Sequence, residues 1–367
     1  MVIVTSEELK SKAAELGYLK CGFIPAGISD EYNRRLDERA GTFPESKALY
    51  ESLHNRPPAG AKSIIVCTVS YAKYRAPEIP EGLFGKFYLF DCRLPYAYEN
   101  RAKAEFETYM KTNGIGILHG YVPVRLAAAK AGIGKFGRNN FIYDSECGSY
   151  IWIDAWFVDA ELEYDAARND AAEHDAVGDD AAENDAVGDD AANEDAAIED
   201  NRFLSECCSG CLKCVKACPT KALSGGMSMD RGLCVTHLTC NAKDALDAET
   251  RERMGTWLYG CDACQDACPV NQNKRTESED FPLLAEHAQY LQPKRIFEMD
   301  ESVYENIVNP RFWYIGKDKL WLWKCNALRA MINAGDAKYR LLIKKSLGHE
   351  DARVREVAAW GCEKLGL

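Results

Sequence analysis

The apolar positions along this chain change period from one stretch to the next, and each period predicts an element. Near the start, Ser6-Glu-Glu is followed by leucines and alanines at helical spacing, which predicts a capped helix over Ser6 to Leu16. Tyr18 to Ile24 predicts a strand. Ser63-Ile-Ile-Val-Cys-Thr-Val-Ser-Tyr71 is a β-branched run suited to a buried strand. Asn100 to Met110 predicts a helix, and Val122 to Ala131 a short Ala-rich one stopped by Gly132. Tyr150 to Val158 is another strong strand. Residues 1–160 therefore read as an α/β domain. Residues 276–310 read as a polar connection with scattered helix. Beyond 310 the period is helical throughout: Trp321 to Asn333, Tyr339 to Leu347 and Val354 to Leu365, with turns at Asn333-Ala-Gly-Asp336 and His349-Glu-Asp351. Stacked helix pairs of this length look like a HEAT-type repeat over 311–367.

Between these regions the cysteines carry the chemistry. One run reads Cys208-Ser-Gly-Cys211-Leu-Lys-Cys214-Val-Lys-Ala-Cys218-Pro219, the bacterial ferredoxin pattern C-x2-C-x2-C-x3-C-P, whose fourth cysteine ligates the other cluster. A second reads Cys261-Asp-Ala-Cys264-Gln-Asp-Ala-Cys268-Pro269. Two cubane 4Fe–4S clusters need eight thiolates. The two runs supply seven, and Cys234 lies between them. The assignment is Cys208, Cys211, Cys214 and Cys268 to one cluster, and Cys218, Cys234, Cys261 and Cys264 to the other. Structural zinc prefers two C-x2-C pairs and leaves the crossed cysteines unexplained; disulfides require a secreted chain. The double-cluster module is placed at 203–275.

Composition changes the picture in one place. The formal charge of the 367 residues is −12, yet residues 165–200 alone hold fourteen Asp and Glu against Arg168. The rest of the chain is close to neutral. Ala171-Ala-Glu-His-Asp-Ala-Val-Gly-Asp-Asp180 recurs as Ala181 to Asp190, and degenerately as Ala191 to Asp200. Repelling charges with little to bury predict a disordered insert at 161–202. Calcium is the sharper alternative, but the EF-hand spacing is absent. The tail 311–367 carries twelve Lys and Arg against six Asp and Glu, a basic face of the kind that can lie on phosphates. No apolar stretch is long enough to cross a bilayer. The N-terminus lacks a signal peptide's basic and apolar regions. With sixteen cysteines, eight of them in cluster spacing, these features predict a cytoplasmic protein.

Gly132-Ile-Gly134-Lys-Phe-Gly137 matches G-x-G-x-x-G, but an alanine helix precedes it where a dinucleotide site needs a strand. Its glycines are expected to let the backbone approach a large flat ligand. This loop, read on as Ala131-Gly-Ile-Gly-Lys-Phe-Gly-Arg-Asn-Asn140 with Gly148-Ser149, resembles the epoxyqueuosine reductase family. So do Met229-Asp-Arg-Gly-Leu-Cys234-Val-Thr-His-Leu-Thr239 and Tyr259-Gly-Cys261-Asp262-Ala-Cys264-Gln265-Asp-Ala-Cys268-Pro269. The resemblance implies an α+β protein with an N-terminal corrinoid-binding domain, a ferredoxin-like double-cluster module and a HEAT-like tail. It implies a cobalamin-dependent reductase whose clusters relay single electrons to cobalt, with epoxyqueuosine in tRNA as the family's substrate. A ferredoxin or flavodoxin-type protein would supply the electrons. Asn140, Ile142, Ser149 and Ile153 are the implied corrinoid contacts on one side, and Thr236 and Asp262 on the other.

The family's proton-donating aspartate has no counterpart here. Its segment reads Leu118-His119-Gly120-Tyr121-Val122-Pro123, and no Asp or Glu occurs from residue 108 to 143. Tyr121 or His119 is the candidate general acid in its place. That departure leaves room for another substrate, such as an organohalide. The contrasting reading is a ferredoxin-like electron-transfer partner with no active site of its own.

Overall fold

The computed structural model describes residues 4–76, 82–89, 98–165, 203–281 and 284–367. The first helix, α1 (Ser6–Glu15), starts at the expected Ser6, with Thr5 as its cap. The Thr5 hydroxyl accepts the Glu8 N–H, and the Glu8 carboxylate accepts the Thr5 N–H at 2.8 Å, a closed capping box. There follow β1 (Lys20–Pro25), α2 (Ser29–Thr42), α3 (Lys47–Glu51), β2 (Ser63–Ser70), α4 (Tyr98–Thr112), β3 (Ile117–Leu118), α5 (Val124–Lys130) and β4 (Ile151–Val158).

The four strands form one sheet in the order β1-β2-β4-β3, and every neighbouring pair is antiparallel. This corrects the α/β reading of residues 1–160. The unbroken apolar run of β2 reflects cover on both faces, not parallel pairing. Ile65 and Cys67 point to one side, where Leu9 and Ala13 of α1 and Phe106 and Met110 of α4 pack with Phe23 and Trp156. Ile64 and Val66 point to the other, against Ala127, Ala128 and Ala129 of α5 and Phe157. Burying both faces of a central strand forces both alternating positions to be apolar, whatever the direction of its neighbours.

The remaining residues share one larger core. Tyr71, Tyr74 and Phe84 pack with Tyr259 of the cysteine-rich region and with Phe312 and Trp323 of the tail. Tyr259 stacks on Trp323 at 5.2 Å between ring centroids. Arg329, from the tail helix Leu320–Ala334, is buried and donates to the carbonyls of Gly255 and Trp257. Burial lowers its pKa to about 9. Residues 276–310, read as a polar connection, bury Phe281, Leu291, Ile296 and Tyr304 in this same core. Their apolar positions are too widely spaced for either period to register. Among the described residues no helix is long and apolar enough to cross a membrane. The acidic repeat falls at 166–202, outside the described residues. Just before it, Asp165 accepts the Phe23 N–H at 2.9 Å and pairs with Lys10.

The glycine-rich loop is a hairpin of Lys135–Phe136 against Ile142–Tyr143. Its glycines serve the protein's own packing, not a ligand. A Cβ on Gly134 would lie 2.5 Å from the Tyr143 carbonyl oxygen, and one on Gly137 would lie 2.4 Å from the Tyr143 ring. Backbone cannot yield as a side-chain tip can. Gly134→Ala is therefore expected to cost about 1–3 kcal/mol, read as a lowered thermal midpoint of the cluster-loaded chain. An unchanged midpoint would contradict this packing.

Candidate cluster sites and the cavity between them

The local fold follows from the motif spacing. In the first run Gly210 takes φ +67° between Cys208 and Cys211, and a one-turn helix, Lys213–Ala217, carries Cys214 before Pro219 ends it. In the second, the helix Ala263–Asp266 carries Cys264 and packs against the first. Cys234 stands at the start of the helix Val235–Asn241.

The eight thiols fall into two sets that feel one another. Cys264 is pushed well up by burial, then by Cys261, Cys234 and Cys218. Cys261 rises through burial and the nearness of Cys234 and Cys218. In the second set, Cys214 rises through burial and then Cys268 and Cys211. Burial and neighbouring Cys207 and Cys268 raise Cys208 to about 11. One set joins Cys208, Cys211 and Cys214 to Cys268 of the second run; the other joins Cys261 and Cys264 to the distant Cys234 and to Cys218 of the first run, the crossed grouping expected from the spacing. Buried thiolates this close repel, so the anionic sets need cationic iron at their centre. Among the described residues no three Cys, His, Asp or Glu stand close enough to share one metal ion. A cubane makes no such demand, because each thiolate binds a different iron. Backbone N–H groups already point at the sulfurs: Ala222 donates to Cys218 Sγ at 3.3 Å, and the N–H groups of Thr236 and His237 point at Cys234.

The set with Cys218, Cys234, Cys261 and Cys264 opens onto a cavity of about 380 Å³, and the α2 and α5 side chains form its far wall. Tyr32, Tyr50, Tyr88, Phe136, Phe141, Tyr314, Met227 and Met229 give it broad apolar surfaces. The lining suits a flat, amphipathic group placed against the cluster. The hairpin loop is fixed onto the cysteine region beside it. Arg138 donates to the carbonyls of Cys208 at 2.8 Å and Gly225 at 2.6 Å. Asn139 Nδ2 donates to the Tyr143 hydroxyl at 2.8 Å, and that hydroxyl reaches the Cys268 thiol.

The candidate residues scatter around this cavity. Asn140, Thr236 and Tyr121 line it. Asn140 holds φ +64° and is buried. Tyr121 is 58% exposed, and its ring lies 6.2 Å from that of Tyr32. Burial and Tyr121 push the Tyr32 phenol pKa up. His119 is exposed at the surface and does not line the cavity. Ile142 and Ile153 pack in the sheet core on the α5 side. The Ser149 hydroxyl donates to Gln265 Oε1 at 2.8 Å and accepts from Asn271 Nδ2 at 2.8 Å. Asp262 accepts the Lys86 N–H at 2.8 Å and is buried, which drives its pKa up. Ile142, Ser149, Ile153 and Asp262, expected as corrinoid contacts, are therefore not in the cavity lining, because their local packing and hydrogen bonds turn them into the protein. The sequence reading missed Tyr32, Arg39, Arg125 and Arg231. Lone arginines and tyrosines on helices carry no spacing signal.

Comparison with known proteins agrees with this geometry. A family described as a 4Fe-4S double cluster binding domain matches residues 207–271. The epoxyqueuosine reductase of Leadbetterella byssophila is 27% identical, over 75% of this chain and 83% of that protein. Over most of its length the chain is similar to the epoxyqueuosine reductases. The Bacillus subtilis epoxyqueuosine reductase is also 27% identical, over 98% of this chain and 87% of its own length. Among solved structures, epoxyqueuosine reductase from Streptococcus thermophilus shares the fold at a TM-score of 0.72 and 21% identity, over 98% of this chain and 90% of that one. An epoxyqueuosine reductase crystallised with an epoxyqueuosine-modified tRNA-Tyr stem loop matches at 0.70 and 22% identity, with the same coverage. The protein carries two 4Fe–4S clusters.

Removing a ligand from either set tests the crossing. Cys268→Ala is expected to abolish the cluster that Cys208, Cys211 and Cys214 share, and Cys234→Ala the other. Iron and sulfide should fall by about half in each, and the two variants should retain different reduced electron paramagnetic resonance spectra. Identical residual spectra would contradict the assignment.

Proposed function

We propose that this chain is a cytoplasmic iron–sulfur reductase that passes electrons one at a time through both cubanes to a cobalamin seated in the cavity. The observation that carries this reading is the cavity itself: one thiol set opens directly onto an aromatic, amphipathic space walled by the N-terminal domain. A bare electron carrier has no need of such a wall. When bound, a cobalamin supplies a strongly reducing metal centre, which suits removal of an epoxide oxygen. Asn140 and Thr236 would border it, with Tyr88 and Tyr314 on the same wall.

Epoxyqueuosine in tRNA is the proposed substrate, as the names of the relatives suggest, and the basic HEAT-like tail over 311–367 is the proposed tRNA-facing surface. A ferredoxin or flavodoxin-type donor would feed the clusters. Taking an epoxide oxygen off as water and leaving a carbon–carbon double bond consumes two electrons and two protons. Those protons need a donor, and the described cavity lining holds no Asp or Glu. Tyr121 is the proposed donor. It borders the cavity, leans on Tyr32 and is exposed enough to be reprotonated from water. Partial burial and the neighbouring Tyr121 push the Tyr32 phenol pKa up, so Tyr32 itself stays protonated. Asn55 Nδ2 donates to the Tyr121 carbonyl at 3.0 Å and steadies its backbone.

In the reconstituted chain, Tyr121→Phe is expected to lower the rate of epoxyqueuosine conversion in tRNA about 10²-fold or more, with cluster content unchanged. A wild-type rate in this variant would remove Tyr121 as donor. No turnover by the wild type, with both clusters and cobalamin in place, would remove epoxyqueuosine as substrate.

A further inference from the structure

The cavity's charge is lopsided. Among the described residues four arginines line it, Arg35, Arg39, Arg125 and Arg231, and no carboxylate does. Arg35 is engaged with Glu31 at 3.1 Å. The other three make no ion pair with a carboxylate among the described residues. Arg39 comes from α2, Arg125 from α5, and Arg231 from the turn before Cys234.

They converge on common neighbours. Arg39 donates to Asn140 Oδ1 at 3.3 Å and to the Met227 carbonyl at 3.0 Å. Arg125 donates to the Asn140 carbonyl at 3.1 Å and lies over the Phe141 ring. Arg39 and Arg231 both act electrostatically on Tyr32 and Tyr50. Burial and the nearby Arg125 lower the pKa of Arg39. Asp230, the adjacent carboxylate, accepts from the Ser46 hydroxyl and the Gly232 N–H and makes no ion pair with the three arginines among the described residues. His237, also in the lining, leaves its buried Nδ1 without a hydrogen-bond partner.

Three guanidiniums drawn together in a half-buried space repel one another, and the low local dielectric magnifies the cost. Such an arrangement is stable when an anion sits among them, and guanidinium forks match phosphate oxygens. Arg39, Arg125 and Arg231 all border the one cavity, and Arg39 and Arg125 are near enough to act on each other.

We propose that Arg39, Arg125 and Arg231 form a phosphate seat in the cavity onto which the Cys218, Cys234, Cys261 and Cys264 set opens. The group it takes is a phosphate ester, borne either by a phosphorylated substrate or by the nucleotide tail of a corrinoid. The seat is a property of the chain alone, so its test requires neither turnover nor bound corrinoid.

The cluster-loaded full chain is titrated with inorganic phosphate and with pyrophosphate by calorimetry in chloride buffer. One saturable site is expected, weakened about ten- to hundred-fold in Arg125→Gln and in Arg39→Gln. Arg125 is exposed and holds only a carbonyl, so its variant keeps the test valid if Arg39→Gln misfolds. Arg39→Lys is expected to retain part of the affinity, through charge without the fork. No saturable phosphate site in the wild type, or equal affinity in Arg125→Gln, overturns the proposal. Repeating the titration with cobalamin or with cobinamide, which lacks the phosphodiester tail, identifies the source. Phosphate displaced by cobalamin alone assigns the seat to the corrinoid tail; phosphate retained with both assigns it to the substrate.

Discussion

Four half-buried thiols that repel one another as anions are the constraint around which this molecule is arranged. Cys264 is held up by burial and by three other cysteines drawn from three separate segments. Only a cationic cluster makes that set stable as thiolates. Iron binding and correct docking of the two runs are therefore one event. Everything near the set serves to hold the segments in place. The hairpin loop clamps the first run through Arg138, the Ser149, Gln265 and Asn271 network fixes the second, and Arg329 ties the tail beneath them.

The same constraint explains the cavity. The set of Cys218, Cys234, Cys261 and Cys264 opens onto the cavity that α2 and α5 also line. An electron that reaches the open set has a short exit into the aromatic space in front of it. The lining there combines stacking surfaces with unpaired positive charge and lacks carboxylates. That combination separates this chain's chemistry from a site built around a carboxylic acid. Tyr121 and Tyr32 stand side by side in that lining.

Much of this was legible in the residues and some was not. The crossed ligand pattern is written in the spacing of Cys208 to Cys218 and Cys261 to Cys268, because turn geometry and sulfur reach fix that spacing. The long strands and the tail helices showed through their periods. Strand direction did not show, since β2 is apolar on both faces in either arrangement. The burial of residues 276–310 was hidden because their apolar side chains come singly, each from a different short helix. The loop glycines gave a true signal of close approach but not of what approaches: Tyr143, not a ligand. The arginine wall was invisible because its members lie on three elements with no shared motif.

The most direct test of the central claim is electron paramagnetic resonance of the chain reconstituted anaerobically with iron, sulfide and cobalamin, and then partly reduced. A corrinoid seated against the open cluster predicts a retained cobalt(II) signal whose relaxation is speeded by the reduced cluster beside it, and that this enhancement is lost in Cys234→Ala. Two cubane spectra with no retained corrinoid, or a cobalt signal indifferent to cluster reduction, would contradict it and leave an electron-transfer protein in its place.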